Sequence, residues 1–267
     1  MADRDLTKLS DAGLALVVAE RAGRLLLQLR HGRPAPTTPR ERDALLVEAD
    51  RTAHDLIVGA LADARPDDLV LSEEGKDPAD RLAADRLWIV DPVDGTREFG
   101  EGRPDFAVQI ALWERGSDAP SQLTVAAVVL PAHGVSHVTD KPVVLAPVDP
   151  ARPVRLVVSR TRPPENTEAL LAALTAVTGR PAELLDAGSV GAKVEHIIAG
   201  RADAYVHDNG FATWDVAAPA AIASAAGLFV SAPDGSPLQL NEPSTHINGV
   251  VVARPELAAA LIEALNN

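Results

Sequence analysis

The stretch at residues 88–99, WIVDPVDGTREF, is the feature that most limits how this chain can fold. Its first residues belong to a short apolar run at 87–90, whose strand-forming side chains are typical of a strand buried in a sheet. The run stops at Asp91, and Pro92 lacks a backbone N–H, so we expect the strand to end there. The Asp-Gly pair that follows is a turn dipeptide, in which Gly95 can adopt a positive φ. The sequence therefore predicts a buried strand that ends in a tight, acidic turn.

Two carboxylates and a hydroxyl belong to this turn. Asp91 and Asp94 can converge across it, and Thr96 places a hydroxyl within reach of the same point. Hard cations such as Mg²⁺ prefer carboxylate oxygens and usually take only one or two from any one segment. An ordinary Asp-rich turn would contain the same residues, so this segment alone leaves both interpretations open.

Two further segments carry acids at the ends of predicted elements. Residues 69–75 form a second apolar strand that runs into Glu73 and Glu74, for which the alternative is a helix cap at Ser72. Residues 213–219 place Asp215 at the head of an alanine-rich helix. Acids at the ends of three such elements form a plausible metal cage.

Together these segments resemble a known family, the Mg²⁺-dependent, lithium-sensitive phosphatases. The family includes inositol monophosphatase, fructose-1,6-bisphosphatase and the CysQ-type 3′(2′),5′-bisphosphate nucleotidases. The resemblance is carried by residues 91–99 and by Trp214-Asp215-x-Ala-Ala, and it covers essentially the whole chain. It implies an α/β fold (α+β in some schemes), the layered αβαβα sandwich of this family. Glu98 before Phe99 favours the nucleotidases, because the simple inositol phosphatases usually have Asn there.

The resemblance implies a set of metal ligands. One Mg²⁺ would be bound by Glu73, Asp91 and the Val93 carbonyl. A second would be bound by Asp91, Asp94 and Asp215. The resemblance implies two or three ions in total in the active site.

The resemblance also implies the groups that act on water and phosphate. Thr96, with Asp50, would orient and deprotonate the attacking water, and Glu74 would support Glu73. The backbone at Gly95 and Thr96 would hold the phosphate, as N–H groups in turns often do. For Asp50, the local sequence also allows a simple helix N-cap, and Val47 replaces the Thr that the family usually has there.

Substrate contacts are expected from two segments of the second half. Residues 188–193, GSVGAK, are not a P-loop, because the spacing is short and Val194 stands where Ser or Thr is needed. Bisphosphate nucleotidases typically have Gly-Ser-x-x-x-Lys here, which implies that Ser189 and Lys193 contact the substrate. Arg160 follows a strand, and its guanidinium suits a second phosphate. The alternatives are a capped helix with a surface lysine, and a solvated charge at Arg160.

The composition excludes several classes of protein. The 267 residues, 46% hydrophobic and 24% charged, are enough for one large or two small globular domains. The absence of cysteine excludes disulfides and cysteine nucleophiles and fits a cytoplasmic enzyme. A net charge of −13 disfavours a nucleic-acid polymer as partner, and the apolar runs are too short to span a membrane. The resemblance implies a homodimer that acts on a small phosphorylated nucleotide.

The pattern along the chain predicts two domains. Three prolines at residues 146–153 mark a boundary between an α+β domain at 1–150, with most metal ligands, and an α/β domain at 151–267, with Asp215 and substrate contacts. The predicted elements of the first are a helix at 10–30, a loop or lid at 31–42, a helix that begins near Asp50 and ends at 64, and an antiparallel sheet with strands at 106–113, 123–130, 135–139 and 143–145. Strands and helices alternate in the second.

The predicted reaction is metal-assisted hydrolysis of a phosphate monoester. The resemblance implies 3′-phosphoadenosine 5′-phosphate as the preferred substrate, which would give AMP and phosphate in sulfur assimilation, with the related phosphosulfate as a possible second substrate. The alternatives are inositol-1-monophosphatase or fructose-1,6-bisphosphatase activity. An alternative of another class is a non-catalytic Mg²⁺ or nucleotide sensor, which would have no need of Thr96.

Overall fold

Two long helices form the first layer of the computed structural model, which describes residues 5–116 and 122–267. Helix α1 (Asp11–His31) is capped by Ser10, whose hydroxyl accepts the Gly13 N–H at 3.1 Å. Helix α2 (Pro39–Ala64) begins with a capping box between Thr38 and Glu41. Both helices turn an apolar face towards the first sheet.

The start of α2 corrects the sequence prediction. The helix begins at Pro39 rather than near Asp50, so the predicted loop at 31–42 shortens to residues 32–38. Asp50 lies in the middle of α2 and is not its N-cap. Proline is favoured in the first turn of a helix, where its missing N–H has no partner to lose, so its presence at 39 marks a helix start and not a loop.

The first sheet has five strands in sequence order: β1 (Leu69–Ser72), β2 (Arg86–Asp94), β3 (Ala107–Glu114), β4 (Gln122–Leu130) and β5 (Val135–Val138). The predicted antiparallel arrangement holds for β2 to β5, whereas β1 pairs with β2 in parallel. Residues 143–145 are not a strand, and Val144 is 89% exposed. Prolines at 142 and 147 flank that segment, which leaves little backbone free to pair.

Strand β2 continues past Pro92, contrary to the sequence prediction. Its pairing with β3 shifts register between Asp91 and Asp94, and Asp94 then pairs with Ala107. Proline is tolerated in a strand where the ladder is interrupted by a bulge, because no N–H is needed there. Strand β2 therefore extends through the bulge for three more residues, and both aspartates lie at its carboxyl end.

The second half alternates strands and helices as predicted. The elements are β6 (Val154–Ser159), α4 (Thr167–Thr178), β7 (Ala182–Ala187), α5 (Val190–Ile198), β8 (Ala204–His207), β9 (Phe211–Ala212), α6 (Thr213–Ala225), β10 (Phe229–Ser231), β11 (His246–Ile247), β12 (Val250–Ala253) and α7 (Ala258–Asn266). The main sheet of this half has the order β10-β12-β8-β6-β7, and β9 pairs with β11 in a separate ribbon.

These elements stack in five layers, which confirms the αβαβα sandwich. Helices α1 and α2 cover the outer face of the first sheet, α5 and α6 lie between the sheets, and α4 and α7 cover the outer face of the second. Strand β3 is buried over residues 107–113, because helices pack on both of its faces. The predicted boundary near residue 150 falls between β5 and β6, and the division into two domains stays a prediction. Among the described residues, no helix is long and apolar enough to cross a membrane.

Candidate active site

Three aspartates converge where β2 ends and α6 begins. Asp91, Asp94 and Asp215 each offer a carboxylate oxygen, and these atoms lie within 4.8 Å of one another. The bulge in β2 positions the first two, while Asp215 is fixed by the N–H of Ala212, which donates to its Oδ2 at 2.7 Å. The sequence prediction that these acids meet is therefore confirmed by the geometry.

Burial makes this cluster electrostatically unfavourable without a counter-charge. Burial and repulsion from Asp94 raise the pKa of Asp91 well above its usual range. Burial also raises the pKa of Asp94 to about 7, although the Lys193 ammonium opposes this shift. The pKa of Asp215 is raised in the same direction by burial. A cation among these oxygens would relieve the repulsion, so the residues fit a metal ion.

Glu73 lies outside the three-aspartate cluster but next to it. Glu73 is exposed at the surface, yet the partial desolvation of its carboxyl group, followed by repulsion from Asp215 and Asp50, raises its pKa to about 7. Residues 73–74 form a turn after β1 and no helix follows, so the alternative of a helix cap at Ser72 is wrong. The metal role of Glu73 stays a prediction.

The Asp-Gly turn has the predicted backbone. Gly95 adopts a φ of 87°, in the left-handed region that favours glycine, and precedes the short helix α3 (Thr96–Gly100). The Thr96 hydroxyl donates to the Val93 carbonyl at 3.0 Å, and the Val93 N–H donates to Asp91 Oδ1 at 3.0 Å. The turn therefore holds a hydroxyl and a carbonyl oxygen in one cluster with the acids.

Asp50 and Glu74 form the outer part of the acidic group. Asp50 is half-buried on α2, where burial and the neighbouring Glu74 carboxylate raise its pKa to about 7. Glu74 itself is exposed. Their predicted roles in supporting the water and Glu73 stay predictions.

The Gly-Ser turn opens helix α5, and the amino terminus of that helix faces the acids. The Ser189 hydroxyl accepts the Ala192 N–H at 2.8 Å and caps the helix, and the Gly191 N–H donates to Asp94 Oδ2 at 2.9 Å. Lys193 is buried and donates to the Gly188 carbonyl. Burial lowers the pKa of Lys193 to about 8, while Asp94 acts to raise it. The alternative of a surface lysine is therefore wrong.

A cavity of about 150 Å³ lies against this cluster. The four predicted substrate contacts that line it are Gly95, Arg160, Ser189 and Lys193. The aromatic side of the cavity is formed by Tyr205, His207 and Phe211. Burial lowers the pKa of His207 to about 4, so this wall is uncharged at neutral pH.

Arg160 is held by carboxylates rather than solvated. Its Nη1 donates to Glu98 Oε1 at 2.6 Å, its Nη2 to Asp105 Oδ2 at 2.6 Å, and its Nε to Asp186 Oδ2 at 2.8 Å. Glu98 and Asp105 belong to the first half of the chain, so these ion pairs cross between the halves.

Sequence reasoning missed Gln109. It is fully buried on β3, and its side-chain amide donates to Asp94 Oδ2. Its own Oε1 has no partner among the described residues. The signal was present, because Gln109 is the one strongly polar residue in the apolar run at 106–113, and a buried polar residue is more informative than a buried apolar one.

A family model described as the inositol monophosphatase family matches residues 10–267. The chain belongs to this family. A 3′-phosphoadenosine 5′-phosphate phosphatase of Mycobacterium tuberculosis is 43% identical over 249 residues, or 91% of this chain and 89% of that protein. The protein of the same name from Mycobacterium leprae is 40% identical over 264 residues, or 96% and 93% of the two chains. The crystal structure of CysQ from Bacteroides thetaiotaomicron matches with a TM-score of 0.77 and 28% identity, over 94% and 99% of the two chains.

Proposed function

We propose that this protein is a Mg²⁺-dependent phosphatase that removes the 3′-phosphate of 3′-phosphoadenosine 5′-phosphate. The observation that carries the proposal is the similarity, at 43% and 40% identity over nearly the whole chain, to two phosphatases named for this substrate. The site supports it, because a cavity with cationic groups lies beside a cluster of carboxylates that can hold metal.

The carboxylates would hold the metal ions. Asp91, Asp94 and Asp215 would bind one Mg²⁺, and Glu73, with Asp91 and the Val93 carbonyl, would bind another. Bound Mg²⁺ lowers the pKa of water and neutralises charge on the phosphoryl group. Oxygen ligands of this kind suit Mg²⁺, and the chain has no cysteine thiolate that would favour a softer metal.

Thr96 would position the attacking water. Its hydroxyl proton is donated to the Val93 carbonyl, which leaves the oxygen able to accept a hydrogen bond from that water. Asp50 has a pKa raised to about 7, near the value suited to moving a proton at neutral pH, and would serve with Thr96. Glu74 would orient Glu73.

The substrate would lie along the cavity. Lys193, the Ser189 hydroxyl and the backbone at Gly95 would contact phosphate, and the uncharged aromatic side would face the nucleoside. Homodimer assembly and a cytoplasmic location, both expected from the sequence, remain proposals.

Phosphate release tests the function. The purified protein is assayed with 3′-phosphoadenosine 5′-phosphate, its 5′-phosphosulfate analogue, inositol 1-phosphate and fructose 1,6-bisphosphate, with Mg²⁺ and with chelator. We expect the highest kcat/KM with 3′-phosphoadenosine 5′-phosphate and no release with chelator. A higher value for one of the sugar or inositol phosphates would replace the proposed substrate. No release from any of them would favour the non-catalytic sensor.

A further inference from the structure

We infer that Arg160 is a positioning residue, which joins the metal-bearing turn to the amino terminus of α5 and does not contact substrate phosphate. This inference rests on the proposed function and concerns the same site. It replaces the role in phosphate binding that the sequence suggests for Arg160.

The ion pairs of Arg160 connect the two halves of the chain. It follows β6 of the second sheet, yet two of its three carboxylate partners, Glu98 and Asp105, lie between β2 and β3 of the first. The side chains of Glu98 and Asp105 are about nine-tenths buried, and that of Arg160 is 22% exposed. Ion pairs held in this way are oriented by geometry and are less screened than surface pairs.

Asp105 continues the connection to α5. Its Oδ2 accepts the Gly188 N–H at 2.8 Å as well as Arg160, and its backbone carbonyl accepts the Ser189 N–H at 3.2 Å. Gly188 packs so closely here that a Cβ would lie 2.8 Å from the Asp105 carbonyl oxygen and closer still to Glu98. The turn that starts α5 is therefore pressed directly against the residues that Arg160 binds.

Both ends of this connection reach the metal ligands. On one side, Glu98 belongs to α3, the helix that Gly95 and Thr96 begin. On the other, α5 donates the Gly191 N–H to Asp94. Loss of the Arg160 guanidinium would leave the largely buried Glu98 carboxylate without an ion-pair partner among the described residues and Asp105 with only the longer ion pair to Arg103, at 3.3 Å. The turn and α5 would then lose their common anchor.

The charge around Arg160 argues against a phosphate contact. Three carboxylates already bind the Nε, Nη1 and Nη2 atoms of Arg160, so a phosphate that approached this guanidinium would compete with them and be repelled by their charge. Arg162 lines the same cavity, is exposed, and has no carboxylate within ion-pair distance in the described part of the chain. A guanidinium of that kind is free to meet an anion, which makes Arg162 the natural comparison.

Kinetics on two substrates that differ by one phosphate separate the two roles. Arg160→Ala, Arg160→Lys and Arg162→Ala are compared with the wild type on 3′-phosphoadenosine 5′-phosphate and on adenosine 3′-phosphate, well below the melting temperature of each variant. A small displacement of reacting groups can lower rates by up to about 100-fold. We therefore expect Arg160→Ala to lower kcat by about 10- to 100-fold on both substrates, with little change in their kcat/KM ratio. Arg160→Lys should remain impaired, because an ammonium cannot bridge three carboxylates in one plane.

Asp186→Asn is the matched control. It removes a partner of Arg160 that is 62% exposed and lies in the same half of the chain, so kcat should stay within about twofold of wild type. In a double-mutant cycle, Arg160→Ala and Asp105→Asn should be less than additive in kcat, because they break the same connection.

Two results would overturn the inference. A loss confined to the bisphosphate substrate, mainly in KM and largely restored by Arg160→Lys, would make Arg160 a phosphate contact. A lowered melting temperature with wild-type kcat on both substrates would make it merely structural. If Arg160→Ala does not fold, Arg160→Lys and Glu98→Gln decide by the same criteria. A wild type inactive on both nucleotides would contradict the proposed function instead, and the same variants would then be compared on inositol 1-phosphate.

Discussion

Replacement of Asp94 by asparagine should make the metal-free protein more stable at alkaline pH while abolishing its activity. Asp94 is 5% exposed, and burial raises its pKa from 3.8 to about 7. Because the folded state binds the proton more tightly than the unfolded state, ionisation of Asp94 costs stability as the pH rises from about 4 to about 7. Below that range, both states hold the proton and the penalty vanishes.

The size of the effect follows from the shift in pKa. About three pKa units correspond to ~4 kcal/mol at pH 8, where Asp94 is charged in both states. Asparagine keeps the shape but places an amide where Gln109 and the Gly191 N–H now donate, and one hydrogen bond is worth ~1 kcal/mol. A flip of the Gln109 side-chain amide would let its unpaired Oε1 accept from the new asparagine amide and recover part of this loss. We therefore expect a net gain of ~3 kcal/mol, or about 5–10 °C in Tm.

Urea unfolding and thermal scans with chelator, at pH 4 and pH 8, measure this gain. The control is Asp140→Asn, which removes one exposed carboxylate and should change stability little at either pH. Mg²⁺ should raise the Tm of the wild type much more than that of Asp94→Asn, because the variant lacks one charged ligand. Equal stability of the variant and wild type at pH 8, or a difference that does not shrink at pH 4, would refute the electrostatic reasoning.

Two further substitutions test the cavity and the turn. Lys193→Met should lower kcat/KM for 3′-phosphoadenosine 5′-phosphate by the equivalent of about 1.5–3 kcal/mol of transition-state stabilisation, because it removes a charge-assisted contact. The loss for inositol 1-phosphate should be smaller, and equal losses would place Lys193 outside the specificity pocket. Gly95→Ala should cost about 1–2 kcal/mol of backbone strain, measured by urea unfolding, and should also lower kcat, because its Cβ would lie 3.1 Å from the Asp105 carbonyl oxygen. Gly102→Ala shares the positive φ but has open space, so it should lose stability without losing kcat.

The elements and the acids could be predicted because their signals are local. Alternation of apolar and polar residues, turn dipeptides and acids at strand ends all lie within a few residues of one another. The Asp94-Gly95 turn and the Ser189 cap are examples, since each is specified by a run of about six residues and each has the predicted backbone. Such patterns carry over into the fold because no distant contact opposes them.

The errors arose where one residue type can serve two structures. Pro39 could belong to a loop or to the first turn of a helix, and the capping box of Thr38 and Glu41 decided for the helix. Pro92 could end a strand or sit in a bulge, and the choice depends on how β3 pairs, which lies more than ten residues away. Composition alone did not distinguish these cases.

Contacts between the halves could not be predicted from either half. The partners of Arg160 in the first half are 55 and 62 residues away in the sequence, and no local pattern predicts these contacts. Gln109 and Gly191 meet at Asp94 only after both sheets have packed against the middle helices. Pairings over such distances depend on how the sheets and helices pack, and that packing cannot be inferred from the local patterns of a single sequence.

Asp94 explains why this site is assembled from both halves of the chain. Its Oδ2 accepts hydrogen bonds from Gln109 on β3 of the first sheet and from the Gly191 N–H on α5 of the middle layer. The orientation of the carboxylate is therefore fixed by one element from each half of the chain. Such bonds fix the carboxylate in place but do not remove the penalty of burial, as its raised pKa indicates. A metal ion would lower that penalty by adding the charge that the protein lacks there. We therefore expect metal binding and the packing of the two halves to stabilise each other, with Asp94 as the residue through which they are coupled.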